Sequence, residues 1–142
     1  DEIRGFLLKG NQEPGAFCCD NGTFREIISL QVRSMQRQKS DAQLTILRLN
    51  SQEADQEKRA IYMKQMETTL QKSLRSGDPF TRVGANQFWV LLPGASNENG
   101  KIVMDRVINR MHKDYPRTEA AFRVRVLDLE GLNSRMATGS NQ

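Results

Sequence analysis

Five consecutive large apolar residues, Phe88-Trp89-Val90-Leu91-Leu92, lie between a Gly84-Ala85-Asn86 turn and a Pro93-Gly94 stop. Side chains alternate between the two faces of a strand, so a run this uniform needs cover on both sides. Residues 80–83 precede the turn and supply the first arm of a hairpin. A chain built around such a hairpin requires a sheet with the 87–92 arm at its centre and other elements packed against it.

The rest of the sequence supplies those elements. Thr23 reads as an N-cap, with Glu26 three residues on completing a capping box. Phe24, Ile27, Ile28, Val32 and Met35 follow at helical spacings and predict a helix over 23–38. Its other face carries Arg25, Arg33, Arg37 and Lys39, a pattern expected of a solvated face. Residues 43–49 form a short strand rich in β-branched and large apolar side chains. A stripe of Ala60, Met63, Met66, Leu70 and Leu74 predicts a helix over 55–75, stopped by Ser76-Gly77-Asp78-Pro79. Val103, Met104, Val107, Ile108 and Met111 place another helix over 98–113, ended by Tyr115-Pro116. Phe122, Val124 and Val126 alternate with Arg123 and Arg125 in a last strand over 120–127.

Strand, helix, strand, strand, helix, strand is the order of a split βαβ unit. The expected fold class is therefore α+β, a ferredoxin-like sandwich with a four-stranded antiparallel sheet, preceded by an N-terminal helix. Turn residues break up 1–22, which reads as a connecting arm. Residues 23–130 form the domain, and the small polar residues of 131–142 a flexible tail.

At 142 residues the chain fits one domain able to bury a core of its own. No apolar run approaches the roughly 18 residues a membrane span needs, so no membrane partner is expected. The two cysteines, Cys18 and Cys19, are adjacent, which excludes an ordinary structural disulfide between them. Free thiols suit a reducing compartment, and a cytoplasmic location is expected. His112 is the only histidine; its place near a helix end favours a dipole contact over general-base work. Tyr62 and Tyr115 have no sequence neighbour to act with and read as packing residues. No zinc spacing, phosphate loop or Ser-His-Asp pattern occurs, so neither a metal nor a catalytic residue is assigned and no cofactor is expected. A net charge of +4 is too weak to indicate nucleic acid, and no direct DNA binding is expected. Arg48, Arg82, Arg123 and Arg125 either form a basic face on the sheet or pair with acids such as Asp128 and Glu130, and structural pairing is the expectation. The first residue is Asp1 rather than Met, which suggests a piece of a longer protein.

The segment DPFTRVGANQFWVLLP, from Asp78 to Pro93, resembles the signature hairpin of GGDEF domains, the diguanylate cyclase family. Gly84, Ala85, Asn86, Gln87 and Phe88 stand where that family carries Gly-Gly-Asp-Glu-Phe. Arg82 before it, Pro93 after it and the element order also fit, so the resemblance implies a nucleotide-cyclase-like sheet with helices. It also implies where catalysis would reside, in a metal held by carboxylates of the first strand and the hairpin. Here those positions carry Arg48 and Asn50, and Asn86 and Gln87. Mg²⁺ prefers hard anionic oxygens. A guanidinium about 4 Å from a dication costs roughly 8 kcal/mol at an effective dielectric near 20. Ala85 adds a Cβ where the family's second Gly admits the nucleotide. The expectation is a degenerate, non-catalytic domain serving regulation or protein interaction.

Two further resemblances bear on partners. Arg75-Ser76-Gly77-Asp78 looks like the Arg-x-x-Asp site at which many GGDEF domains bind cyclic di-GMP; Arg stacks on guanine while Asp accepts from the base. That gives an alternative function, a cyclic di-GMP or nucleotide sensor, against the plainer reading of Arg75 to Asp78 as a helix stop. The stretch GAFCCDNGTFREIISLQVRSMQRQ is similar to a segment of bacterial transcription regulators that follows a tetratricopeptide-like transcriptional activator domain. It implies a parent protein whose other domains, or a protein partner, would be bound, while the GGDEF resemblance, a family whose catalysis sets two domains face to face, implies a second copy of this domain as a further candidate partner.

Overall fold

The computed structural model describes residues 16–50 and 55–132. A two-residue strand, β1 (Cys18–Cys19), leads into α1 (Asn21–Gln38), β2 (Ala42–Leu49) and α2 (Gln56–Ser73). The hairpin β3 (Phe80–Val83) and β4 (Gln87–Pro93) follows, then α3 (Asn97–Asp114) and β5 (Phe122–Asp128). The strands lie in the order β1-β3-β4-β2-β5. β1 is parallel to β3, and all other neighbours are antiparallel.

The double-sided apolar run does what its pattern requires. β4 pairs with β3 on one side and β2 on the other. Phe88, Val90 and Leu92 enter a core with Met63, Met66 and Leu70 of α2 and Met104, Val107 and Met111 of α3. Leu91 enters a second core on the opposite face, with Phe24 and Met35 of α1 and Ala42 and Leu44 of β2. Trp89 packs against this second core. The molecule is thus three-layered, with α1 on one face of the sheet and α2 and α3 on the other. Phe80 and Phe88 meet edge to face at 6.1 Å between ring centroids. Tyr62 is buried in the first core and Tyr115 packs at its margin, so both are packing residues.

Several details depart from the sequence reading. Asp20, not Thr23, caps α1: its Oδ1 accepts from the Thr23 backbone N–H at 2.7 Å, and the helix begins at Asn21. Thr23 and Glu26 are exposed and form no capping box. The part of the expected arm that is described holds β1, which makes the sheet five-stranded and mixed rather than four-stranded and antiparallel. Ala60 is exposed, so the buried stripe of α2 begins at Tyr62 and Met63. α2 stops at Ser73, and β5 begins at Phe122 and ends at Asp128. Arg25, Arg33, Arg37 and Lys39 are exposed, as a solvated face requires. Residues 1–15 and most of the expected tail (133–142) lie outside the described residues.

Candidate functional site

The β3–β4 turn brings the degenerate pentapeptide to one end of the sheet. Gly84 adopts φ +67, a left-handed conformation that an L side chain would strain. Lys39 is the one described non-glycine residue at positive φ, so Ala85 fits its place in the turn without backbone strain. Arg82 folds over the turn, its Nε donating to the Gly84 carbonyl at 3.4 Å and its Nη2 to that of Ala85 at 3.2 Å. The Asn86 carbonyl accepts from the Leu49 N–H at 2.7 Å, which ties the tip to the end of β2. Phe88 is fully buried and anchors the hairpin in the first core.

Register then fixes the neighbours. Arg48 lies opposite Gln87 on one side and opposite Arg123 on the other. Asn50 continues past β2, its N–H donating to the Ala121 carbonyl at 2.8 Å. Gln87 is partly engaged already, since its Oε1 accepts from the Trp89 indole N–H at 3.0 Å. Arg48, Leu49, Asn50 and Arg123 line a cleft of about 120 Å³ at this end of the sheet. Among the described residues its walls offer guanidiniums, an amide and backbone, and no carboxylate. Among the described residues no cluster of three or more His, Cys, Asp or Glu could hold a metal ion. The donor set therefore does not fit a magnesium centre, which needs anionic oxygen.

Arg75 and Asp78 do come together, at the far end of β3 from the hairpin turn. The Asp78 side chain is almost wholly buried, and its Oδ2 accepts from the Arg75 backbone N–H at 3.1 Å and from the Arg75 Nε at 3.3 Å. The Asp78 N–H returns a bond to the Arg75 carbonyl at 2.9 Å. This closed loop ends α2 and aims the chain into β3. The carboxylate is thus engaged by its own chain, while the Arg75 side chain is 74% exposed.

The four arginines named together in the sequence do not act together. Arg82 belongs to the turn, whereas Arg48, Arg123 and Arg125 share the α1 side of the sheet by alternation. Pairing with Asp128 or Glu130 does not occur among the described residues. Asp128 instead accepts from Gln43 Nε2 at 3.3 Å, inside a polar network that sequence reasoning missed. Gln43 is 1% exposed, and its Nε2 also donates to the Ala95 carbonyl. Asn97, in the first turn of α3, donates to Gln43 Oε1 and to the Val126 carbonyl. The network pins the start of α3 to β2 and β5; one glutamine in an apolar strand was its only trace in the sequence.

Other candidates fall away on placement. His112 is exposed in the last turn of α3. Cys18 and Cys19 point to opposite faces of β1 and so cannot converge on one ion. Burial, reinforced by the nearby Glu67 and Cys19, pushes the Cys18 thiol up to about 11, far from a reactive thiolate.

No family model and no curated protein matches the sequence. Solved structures do. The structure of a DGC protein from Thermotoga maritima is similar with a TM-score of 0.67 at 12% identity, over 78% of this chain and 81% of that one. The GGDEF domain of FimX from Pseudomonas aeruginosa gives a TM-score of 0.67 at 14% identity, over 80% of this chain and 76% of its own. At such identities the likeness is one of fold, and the fold of this chain is GGDEF-like.

Proposed function

We propose that this chain is a non-catalytic GGDEF-like domain that serves regulation or protein interaction in a bacterial signalling or transcription regulator. One observation carries the reading: the end of the sheet where a cyclase of the resembled family would hold its metal presents Arg48, Asn50, Asn86 and Gln87. Two carboxylates replaced by their amides keep shape and lose charge, and Arg48 adds charge of the wrong sign for a cation. The test is incubation of the purified protein with GTP and Mg²⁺ or Mn²⁺. No cyclic di-GMP should form, and its appearance would overturn the proposal.

A second reading, cyclic di-GMP sensing through Arg75 and Asp78, has in its favour the exposed Arg75 guanidinium beside a carboxylate. Calorimetry with cyclic di-GMP against an Arg75→Ala control decides it. No heat at tens of micromolar ligand ends that reading.

A further inference from the structure

We propose that the open edge of β5 is a docking site for an extended acidic segment of a partner protein, which joins the sheet as a sixth strand. This deepens the protein-interaction reading above and rests on it.

β5 ends the strand order β1-β3-β4-β2-β5 and pairs with β2 alone. The bond from the Asn50 N–H to the Ala121 carbonyl sets the phase of that ladder, because bonded positions alternate along an antiparallel pair. Arg123, Arg125 and Leu127 therefore turn their backbone groups toward β2, while Phe122, Val124 and Val126 turn theirs outward. The Val126 carbonyl agrees with this phase, since it accepts from Asn97 Nδ2 at 3.1 Å. Among the described residues, the N–H and C=O groups of Phe122 and Val124 then have no partner. An unpaired edge of this kind is a template for another strand. The opposite edge of the sheet is β1, which at two residues is too short to serve equally.

Side chains select the occupant. Val124 is 37% exposed, in the middle of the open stretch. On the other face Arg123 and Arg125 are exposed, and no carboxylate of a described residue bonds either of them. A second copy pairing antiparallel about Val124 would set Arg123 of one chain opposite Arg125 of the other, and like charges so placed destabilise a sheet. A strand with two acids flanking one apolar residue reverses the sign. Each acid lies beside a guanidinium, and the residue between them covers Val124. Residues 133–142 carry Arg135 and no acid, and residues 1–15 lead into β1 at the far edge, so the occupant is assigned to another chain.

The experiment titrates the protein with a blocked peptide alternating Glu and Val, and with the same peptide carrying Lys for Glu. Calorimetry reads affinity, and hydrogen exchange followed by NMR reads the place. The Glu peptide should bind and slow exchange at the Phe122 and Val124 amides, while those of Arg123 and Arg125, already bonded to β2, change little. The Lys peptide should not bind. Val124→Pro removes an outward donor and leaves the β2 ladder intact, and it should weaken binding about tenfold. Arg123→Gln/Arg125→Gln alters only exposed side chains, so it should fold, and it should weaken binding roughly three- to tenfold. The proposal is overturned by no binding at about 1 mM Glu peptide, by equal affinity for the Lys peptide, or by unaltered affinity in Arg123→Gln/Arg125→Gln. Protection of the Phe122 and Val124 amides that grows with protein concentration alone would assign the edge to a second copy and also overturn it. GTP turnover is measured without either peptide, so failure here leaves the non-catalytic reading standing.

Discussion

Replacing Asp78 should damage the fold far more than replacing Arg75, although the two form one ion pair. The Asp78 side chain is 4% exposed and that of Arg75 74% exposed. Asp78→Ala removes the acceptor of the Arg75 backbone N–H, a bond of 3.1 Å to a charged oxygen. Such bonds contribute about 1.5–3 kcal/mol, and the N–H at the end of α2 is left without its partner. Arg75→Ala leaves that backbone bond in place and removes only the exposed Nε contact, worth about 0–1 kcal/mol. The expected losses are therefore about 2–3 kcal/mol for Asp78→Ala and under about 1 kcal/mol for Arg75→Ala. Urea unfolding reads both. With a slope near about 2 kcal/mol per molar, Asp78→Ala should lower the midpoint by roughly 1 M and Arg75→Ala by less than half of that. Equal midpoints for the two variants, or an unshifted Asp78→Ala, would refute the anchor role and leave the carboxylate available for a ligand.

Two other perturbations test the packing and the helix start. A Cβ on Gly100 would lie 2.8 Å from Val126 Cγ1, a stiff β-branched side chain, so Gly100→Ala should destabilise by about 1–2 kcal/mol after the helix-propensity gain of about 1 kcal/mol; an unchanged or raised melting temperature refutes that close approach. Hydrogen bonds from Thr23, the backbone N–H foremost, hold the Asp20 carboxyl below the usual carboxylate range. A depressed carboxyl stabilises above its unfolded pKa of about 3.9 and loses that contribution as pH falls through the folded value. The melting-temperature gap between the parent and Asp20→Ala should accordingly hold at neutral pH and shrink below about pH 4, and a gap constant into strong acid would sink the cap.

The sequence spoke most clearly where a pattern was long or two-sided. Phe88 to Leu92 announced a covered central strand, and the Met-rich stripe of α2 and the apolar face of α3 announced their layer. β1 was hidden because it spans two residues and exists only through parallel pairing with β3, a contact 62 positions away in sequence (Cys18 with Phe80). Asn21-Gly22 read as turn residues of the arm and hid the helix start at Asp20, because residues that favour turns also favour N-caps, for the same reason: a short side chain that bonds nearby backbone. Gln43, a lone glutamine in an apolar strand, marked its network without naming the partners, since Asn97 and Asp128 reach it only once α3 and β5 are docked.

The arginine cleft shows how far a core can dictate a surface. Leu47 must face α2 and α3 beside Phe88 and Val124, because the strand period of two puts all three on one side in this register. Once Leu47 is buried there, Arg48 can only point the other way, and the same pairing sets Arg123 opposite it. A slip of one residue would separate the two charges, but it would also drive Arg48 into the Met-rich core and Leu47 out of it. The cost of burying an unpaired guanidinium far exceeds that of holding two exposed ones side by side. The repulsion is thus locked in by the hydrophobic register, and Arg48 and Arg123 stay side by side because Leu47 stays buried.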